Sequence, residues 1–147
     1  MIHCNSCDDY VNACFHILTA KGYKKTRTRV IIAEAISQFA KPFGPKELHD
    51  QVSQSANIDF ATVYRNFQIF SGCELLHAVG TQGKFVACSE LHCETNTSHT
   101  IFYCRSCDMT EEVVDTSRPR KKVAAPDSFI AESRVTQVIG ICADCSA

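Results

Sequence analysis

The stretch Phe60-Ala-Thr-Val-Tyr-Arg-Asn-Phe-Gln-Ile-Phe-Ser71, followed by Leu76 to Cys88, decides the fold. Val63, Phe67 and Phe70 recur at helical spacing, with Thr62, Arg65, Asn66 and Gln68 mostly off that stripe. Asp59 or Ala61-Thr62 suits the start of such a helix and Gly72 its close. The period then changes to two: Leu76-His-Ala-Val79, a Gly80-Thr-Gln-Gly83 turn and Lys84-Phe-Val-Ala-Cys88 read as a β-hairpin. Upstream, Val11, Cys14 or Phe15 and Leu18, then Val30, Ala33, Ile36 and Phe39 or Ala40, then Leu48 and Val52 give three shorter helices. Gly22 stops the first, Pro42 ends the second and Pro45 fits the first turn of the third. Helices at this spacing before a hairpin suggest a winged helix-turn-helix, with the fourth helix as recognition element and the hairpin as wing. A helical bundle carrying an incidental hairpin is the alternative.

The second half is strand-like. His99 to Cys104, Thr110 to Val114 and Arg134 to Cys142 alternate or run as β segments, and Ser117 to Ser128, with two prolines, leaves room for a short helix at most. Six of the ten cysteines fall in three Cys-x-x-Cys pairs. Cys104-Arg-Ser-Cys107 and Cys142-Ala-Asp-Cys145 together offer four thiolates, the donor set of a closed tetrahedral zinc site. A redox dithiol or unrelated core thiols are the alternative. With 34 residues between the knuckles, two outer strands of one small sheet are expected to bring them together. Cys4 and Cys7 lie in a stretch expected to be a mobile tail, residues 1–9, with an accessory metal or redox pair as the alternative. Cys14 and Cys73 read as core or surface thiols.

The chain has 147 residues, 45% hydrophobic and 21% charged, as expected of one ordinary domain or two small ones. No apolar run approaches a membrane span and the N-terminus lacks a secretory pattern, so a cytoplasmic protein with no membrane partner is expected. The formal net charge of −1 conceals a gradient. From Lys21 to Arg65 eight bases face four acids, a local +4, whereas residues 83–147 carry seven bases and nine acids. The first half therefore suits a polyanion partner.

Between wing and first knuckle lie His77, Cys88, His92, Cys93, His99, Glu111 and Glu112. Nitrogen, sulfur and carboxylate donors of this kind suit a weaker, exchangeable zinc site. The same residues could instead be half-buried strand histidines, a small core thiol and a solvated acidic face. At the start of the fourth helix, Thr62, Tyr64 and Arg65 offer a hydroxyl, a phenol and a guanidinium able to hold phosphates or read a guanine edge, or simply to cover apolar surface.

Thr26-Arg-Thr-Arg29 opening one helix, Ala61-Thr-Val-Tyr-Arg65 opening another, a hairpin, His99 five residues before a Cys-x-x-Cys and a final Cys-x-x-Cys resemble the ferric-uptake-regulator family over about residues 10–146. The resemblance implies an α+β protein: an N-terminal winged helix-turn-helix DNA-binding domain, placed at 1–83, and a C-terminal α/β dimerisation domain at 84–147 carrying the Cys4 zinc site. It implies a homodimer that binds double-stranded operator DNA when a regulatory metal is loaded. Lys41-Pro-Phe-Gly-Pro45 lacks the histidine usual in iron and peroxide sensors, and Cys88 stands where iron sensors tend to carry glutamate. A thiolate there shifts preference towards Zn(II). The set His77, Cys88, His99 and Glu112 resembles the sensing site of the zinc-uptake subgroup, which gives two zinc ions per subunit, one structural and one regulatory. Thr28 in place of glutamine, the long Ser89–Ser98 loop and the lack of a histidine-rich cluster before Cys104 are departures, and the loop leaves His92 or Cys93 able to replace His99. On DNA, Tyr64 and Arg65 are the expected base contacts, with Thr62, Lys24, Lys25, Arg27 and Arg29 positioning phosphates. An iron- or peroxide-responsive regulator is the alternative. An enzyme is not expected, nor a small organic substrate: a zinc deaminase needs His-x-Glu with a later Pro-Cys-x-x-Cys, and here Tyr103 precedes Cys104. A Cys4 site also leaves no open coordination position.

Overall fold

The computed structural model describes residues 7–80, 82–88, 98–115, 124–130 and 136–147, excluding the side chains at 7, 98, 99, 114 and 115. The chain divides into two compact units, Met1–His92 and Cys93–Ala147. The boundary expected after Gly83 would cut the hairpin, whose two strands pair within the first unit.

Four helices open the first unit: α1 (Cys7–Ala20), α2 (Arg27–Ser37), α3 (Pro45–Ser53) and α4 (Phe60–Gly72). Helix α1 begins inside the stretch expected to be a tail. It ends at Ala20, and Gly22 just beyond takes a φ of +88°, with the amides of Gly22 and Tyr23 reaching back to the carbonyls of Thr19 and Leu18. Thr26 caps α2 by accepting from the Arg29 amide at 3.2 Å, and Asp59 caps α4 by accepting from the Thr62 amide at 3.3 Å. Helix α2 stops at Ser37, five residues before Pro42, whose ring would clash with the preceding turn of a continuing helix.

The apolar stripes meet in one core. Cys14, Leu18, Ile32, Ile36, Leu48, Val52, Val63, Phe70 and Leu75 are each fully buried. Strands β1 (Leu76–Val79) and β2 (Lys84–Ala87) form the antiparallel wing, with His77 opposite Val86. Phe43, just before α3, bridges to Phe85 through two backbone hydrogen bonds of 2.9 and 2.8 Å. Phe67 packs edge-on against both Phe43 and Phe85, so the wing is seated on the recognition helix by aromatic contacts. Glu47 accepts from the Gly44 amide at 3.1 Å and from the Lys84 ammonium, which fastens α3 to the wing.

In the second unit, β3 (Ser98–Cys104) is the central strand, flanked by antiparallel β4 (Thr110–Asp115) and parallel β5 (Thr136–Gly140); the short helix α5 (Ala143–Ser146) follows. The knuckles therefore come from the central strand and one edge strand, not from two outer strands. Parallel pairing, with Cys104 opposite Gly140, sends both strands out at the same end of the sheet. Residues 124–130 contain no helix; 117–123 lie outside the described residues. Among the described residues, no helix is long and apolar enough to cross a membrane.

Candidate metal centres and nucleic-acid interface

The four knuckle cysteines converge: their sulfur atoms all lie within 4.8 Å of one another. Each knuckle is shaped by its backbone. After β3 the chain doubles back, the Cys104 amide donating to Met109 O and the Asp108 amide to Cys104 O, both over 2.9 Å. Asp108 takes a φ of +61°, a region that suits aspartate and asparagine better than bulkier residues. The Arg105 amide donates to Gly140 O at 3.0 Å, and the Cys142 amide donates to the Cys104 sulfur at 3.3 Å, so the two knuckles are stitched directly. Cys142 also caps α5, whose single turn returns Cys145 to the cluster.

Cys107 Sγ and Cys142 Sγ are 3.8 Å apart. A disulfide would bring them to about 2.05 Å. A tetrahedron with arms of about 2.3 Å has edges of about 3.8 Å, so the separation fits two thiolates that could share one zinc ion. Electrostatics point the same way. Amides of Cys142, Cys107 and Ser106 hold Cys104 down to about 6. Against the lowering hydrogen bond from Ser106, the thiols of Cys142, Cys107 and Cys104 push Cys145 up to about 12. Four sulfurs this close cannot all ionise alone, and a divalent cation removes that conflict.

A second group lies in the first unit. His77 on β1 and Cys88 just past β2 are both buried, and a ring nitrogen of His77 lies within 4.8 Å of Cys88 Sγ. The Cys88 amide donates to Leu75 O at 3.0 Å, which extends the hairpin and fixes the thiol beside β1. In the second unit, Glu112 stands on β4 opposite Ile101, half-buried, whereas Glu111 stands opposite Phe102 on the other, exposed face. His99 pairs with Val114 in the backbone register, but as a ligand it lies outside the described side chains. His92, Cys93 and Cys4 lie outside the described residues, and so does the side chain of Cys7. Cys14 and Cys73 are buried core thiols, and burial pushes the Cys73 thiol up.

The basic residues gather around α2 and α4. Lys24, Lys25, Arg27 and Arg65 are exposed, and Tyr64 is 42% exposed. Lys25 places its ammonium 5.2 Å over the Phe15 ring. Arg29 is differently employed: it donates to Lys24 O at 2.8 Å and to Asn66 Oδ1 at 3.2 Å, and covers the Tyr23 ring. Asn66 in turn donates to Thr62 O at 2.9 Å. Thr62 donates its hydroxyl to the Asp59 cap and accepts from Arg65 at 3.3 Å. Arg29 and Thr62 thus hold the recognition helix in place as well as facing its surface. Sequence reasoning missed this internal role because it depends on contacts 37 residues apart.

A wing seated on a recognition helix, in a chain that also gathers four thiols between two knuckles, defines a DNA-reading protein that binds metal. The sequence model of the ferric uptake regulator family matches residues 20–134, and the chain belongs to that family. It is accordingly a metal-responsive transcription regulator and not an enzyme. Its fold is similar to that of a zinc uptake regulator solved with zinc and DNA, at a TM-score of 0.72 and 18% identity over 97% of this chain and 96% of that one. It is similar also to holo XcZur, at 0.71 and 22% over 96% and 99%, and to the Helicobacter pylori ferric uptake regulator Fur, at 0.57 and 14% over 100% and 98%. No curated protein sequence matches the chain.

Proposed function

We propose that the chain is a cytoplasmic, dimeric, zinc-sensing repressor that, when loaded, binds the operator DNA of zinc-uptake genes. The observation that carries this reading is the buried His77–Cys88 pair on the wing, an imidazole and a thiol in reach of one ion and separate from the Cys4 cluster. A thiolate donor favours Zn(II) over Fe(II) or Mn(II), which is why zinc is preferred to the iron- or peroxide-sensing alternative.

In this reading each subunit holds two zinc ions. Cys104, Cys107, Cys142 and Cys145 hold the structural one. His77 and Cys88 of the first unit, with His99 and Glu112 of the second, hold the regulatory one. Zinc supplies a removable crosslink there. Drawing ligands from both units restricts their relative motion, and a restricted dimer can hold two recognition helices about 34 Å, or a multiple of it, apart. Tyr64 and Arg65 contact bases; Thr62, Lys24, Lys25, Arg27 and the remaining donors of Arg29 position phosphates.

Dimerisation through the second unit is supported by the exposed face of its sheet. Phe102 and Val138 face each other across β3 and β5 and Val113 lies alongside on β4, all about half exposed. A second copy of the same face would remove this apolar surface from water. The zinc similarity of the solved relatives, a zinc uptake regulator with zinc and DNA among them, agrees with the same reading.

Zinc counted per chain tests it. Wild type should retain two tight equivalents and Cys88→Ser one, with both proteins sedimenting as dimers. One equivalent in each would remove the regulatory site from the account.

A further inference from the structure

We propose that Phe60, with Tyr64, forms an apolar clamp for thymine methyl groups in the major groove, making Phe60 a specificity-determining residue. The proposal rests on the DNA-binding reading above and names what that surface recognises.

Phe60 is the first residue of α4, and the N-terminal residues of a recognition helix are those that reach base edges. It is 46% exposed, although it lies one turn from the buried Val63. An exposed phenylalanine on a small domain needs no explanation by itself. Here the ring is held. Tyr64, one turn on, lies nearly parallel to it with ring centroids 6.0 Å apart and planes 24° apart. The His49 ring stands edge-on to it at 5.6 Å, and His49 Nε2 is itself anchored at 3.0 Å to Ile58 O, two residues before α4. Three rings from α3 and α4 therefore fix a shallow apolar surface at the helix start.

Charge selects the occupant. The exposed Arg65 shares α4 with this surface, and exposed Lys24, Lys25 and Arg27 precede and open α2, within the segment of local charge +4. A polyanion that also presents apolar groups fits both features. In duplex DNA the only apolar group on a base edge of the major groove is the thymine C5 methyl, and phenylalanine is among the side chains that pack against it.

The test uses the duplex bound most tightly by zinc-loaded full-length wild type from a random pool. Each thymine is replaced singly by deoxyuridine, which deletes only the methyl. One or two positions should weaken wild-type binding about fourfold each, the effect of one buried methyl. In Phe60→Ala the same replacements should have no effect, while deoxyuridine elsewhere stays neutral in both proteins. Phe60→Leu, smaller but apolar, should keep a partial dependence and serves if Phe60→Ala binds too weakly to titrate. Wild type indifferent to every deoxyuridine, or a Phe60 variant as sensitive as wild type, overturns the clamp while leaving DNA binding intact. Failure of the loaded wild type to select any duplex overturns both the clamp and the proposed function.

Discussion

Arg29 Nε donates to Asn66 Oδ1 over 3.2 Å, tying the first turn of α2 to the middle of α4. Asn66 is 8% exposed and spends its own amide hydrogen on Thr62 O. Removing it leaves a partly buried guanidinium short of an acceptor. Asn66→Ala should lower the stability of the first unit by about 1–3 kcal/mol in urea unfolding. The exposed neighbour Gln68→Ala should stay within about 0.5 kcal/mol of wild type. Equal effects would mean that the Arg29–Asn66 link contributes nothing.

The second unit depends on metal for a different reason. Its three strands leave Phe102, Val113, Val138 and Ile139 half exposed, and Ile101 is its one fully buried large side chain among the described residues. Among the described residues of one chain this is little burial for an independent unit, and zinc binding can add on the order of 10 kcal/mol. Cys142→Ser should release one zinc and bring amide exchange in β3 and β5 to that of an unfolded chain, with α1 to α4 still protected. Retained protection in β3 would show that the sheet folds without its cation.

Glu47 gives a pH dependence with a definite sign. The Lys84 ammonium is the main cause that holds its carboxyl below the ordinary 4.5. A lowered folded value contributes stability above the unfolded value and loses it as pH falls through the folded one. Because both side chains are about 40% exposed, the contribution is at most about 1 kcal/mol. Glu47→Gln should therefore be slightly less stable than wild type at pH 7, and the gap should close as pH falls below 4.5 and through the lowered folded value. A gap that widens on acidification would reverse the assignment.

Much of this was legible in the sequence because it was local. The Val63–Phe67–Phe70 stripe, the Asp59 cap and the Gly80 to Gly83 turn each announce themselves within one element, and the Cys-x-x-Cys spacing announces a donor pair. What was not legible was set by pairing between distant segments. Nothing within β3 says that it is central, so the knuckles were expected on two outer strands. The boundary expected after Gly83 cuts the hairpin that is itself read from Leu76 to Cys88; the pairing of Lys84–Ala87 with β1 keeps both strands in the first unit. Asp8 and Asp9 in the first turn of α1 suit the helix dipole, a signal that the expectation of a mobile tail obscured. The internal duty of Arg29 was hidden by the same distance: basic residues at a helix start read as phosphate contacts until Asn66 is seen beside one of them. Among the proposed regulatory ligands, the spacing of His77 and Cys88 across a hairpin made their approach foreseeable.

The central claim is that a second, exchangeable zinc controls DNA binding. Anisotropy of the selected duplex, followed against buffered free zinc with wild type and Cys88→Ser, tests it most directly. As the second equivalent binds, wild-type affinity should rise about 5- to 150-fold, the usual range for coupled sites, while Cys88→Ser stays at the low level. A folded dimer carrying only its Cys4 zinc that grips the duplex as tightly as the fully loaded protein would contradict the account.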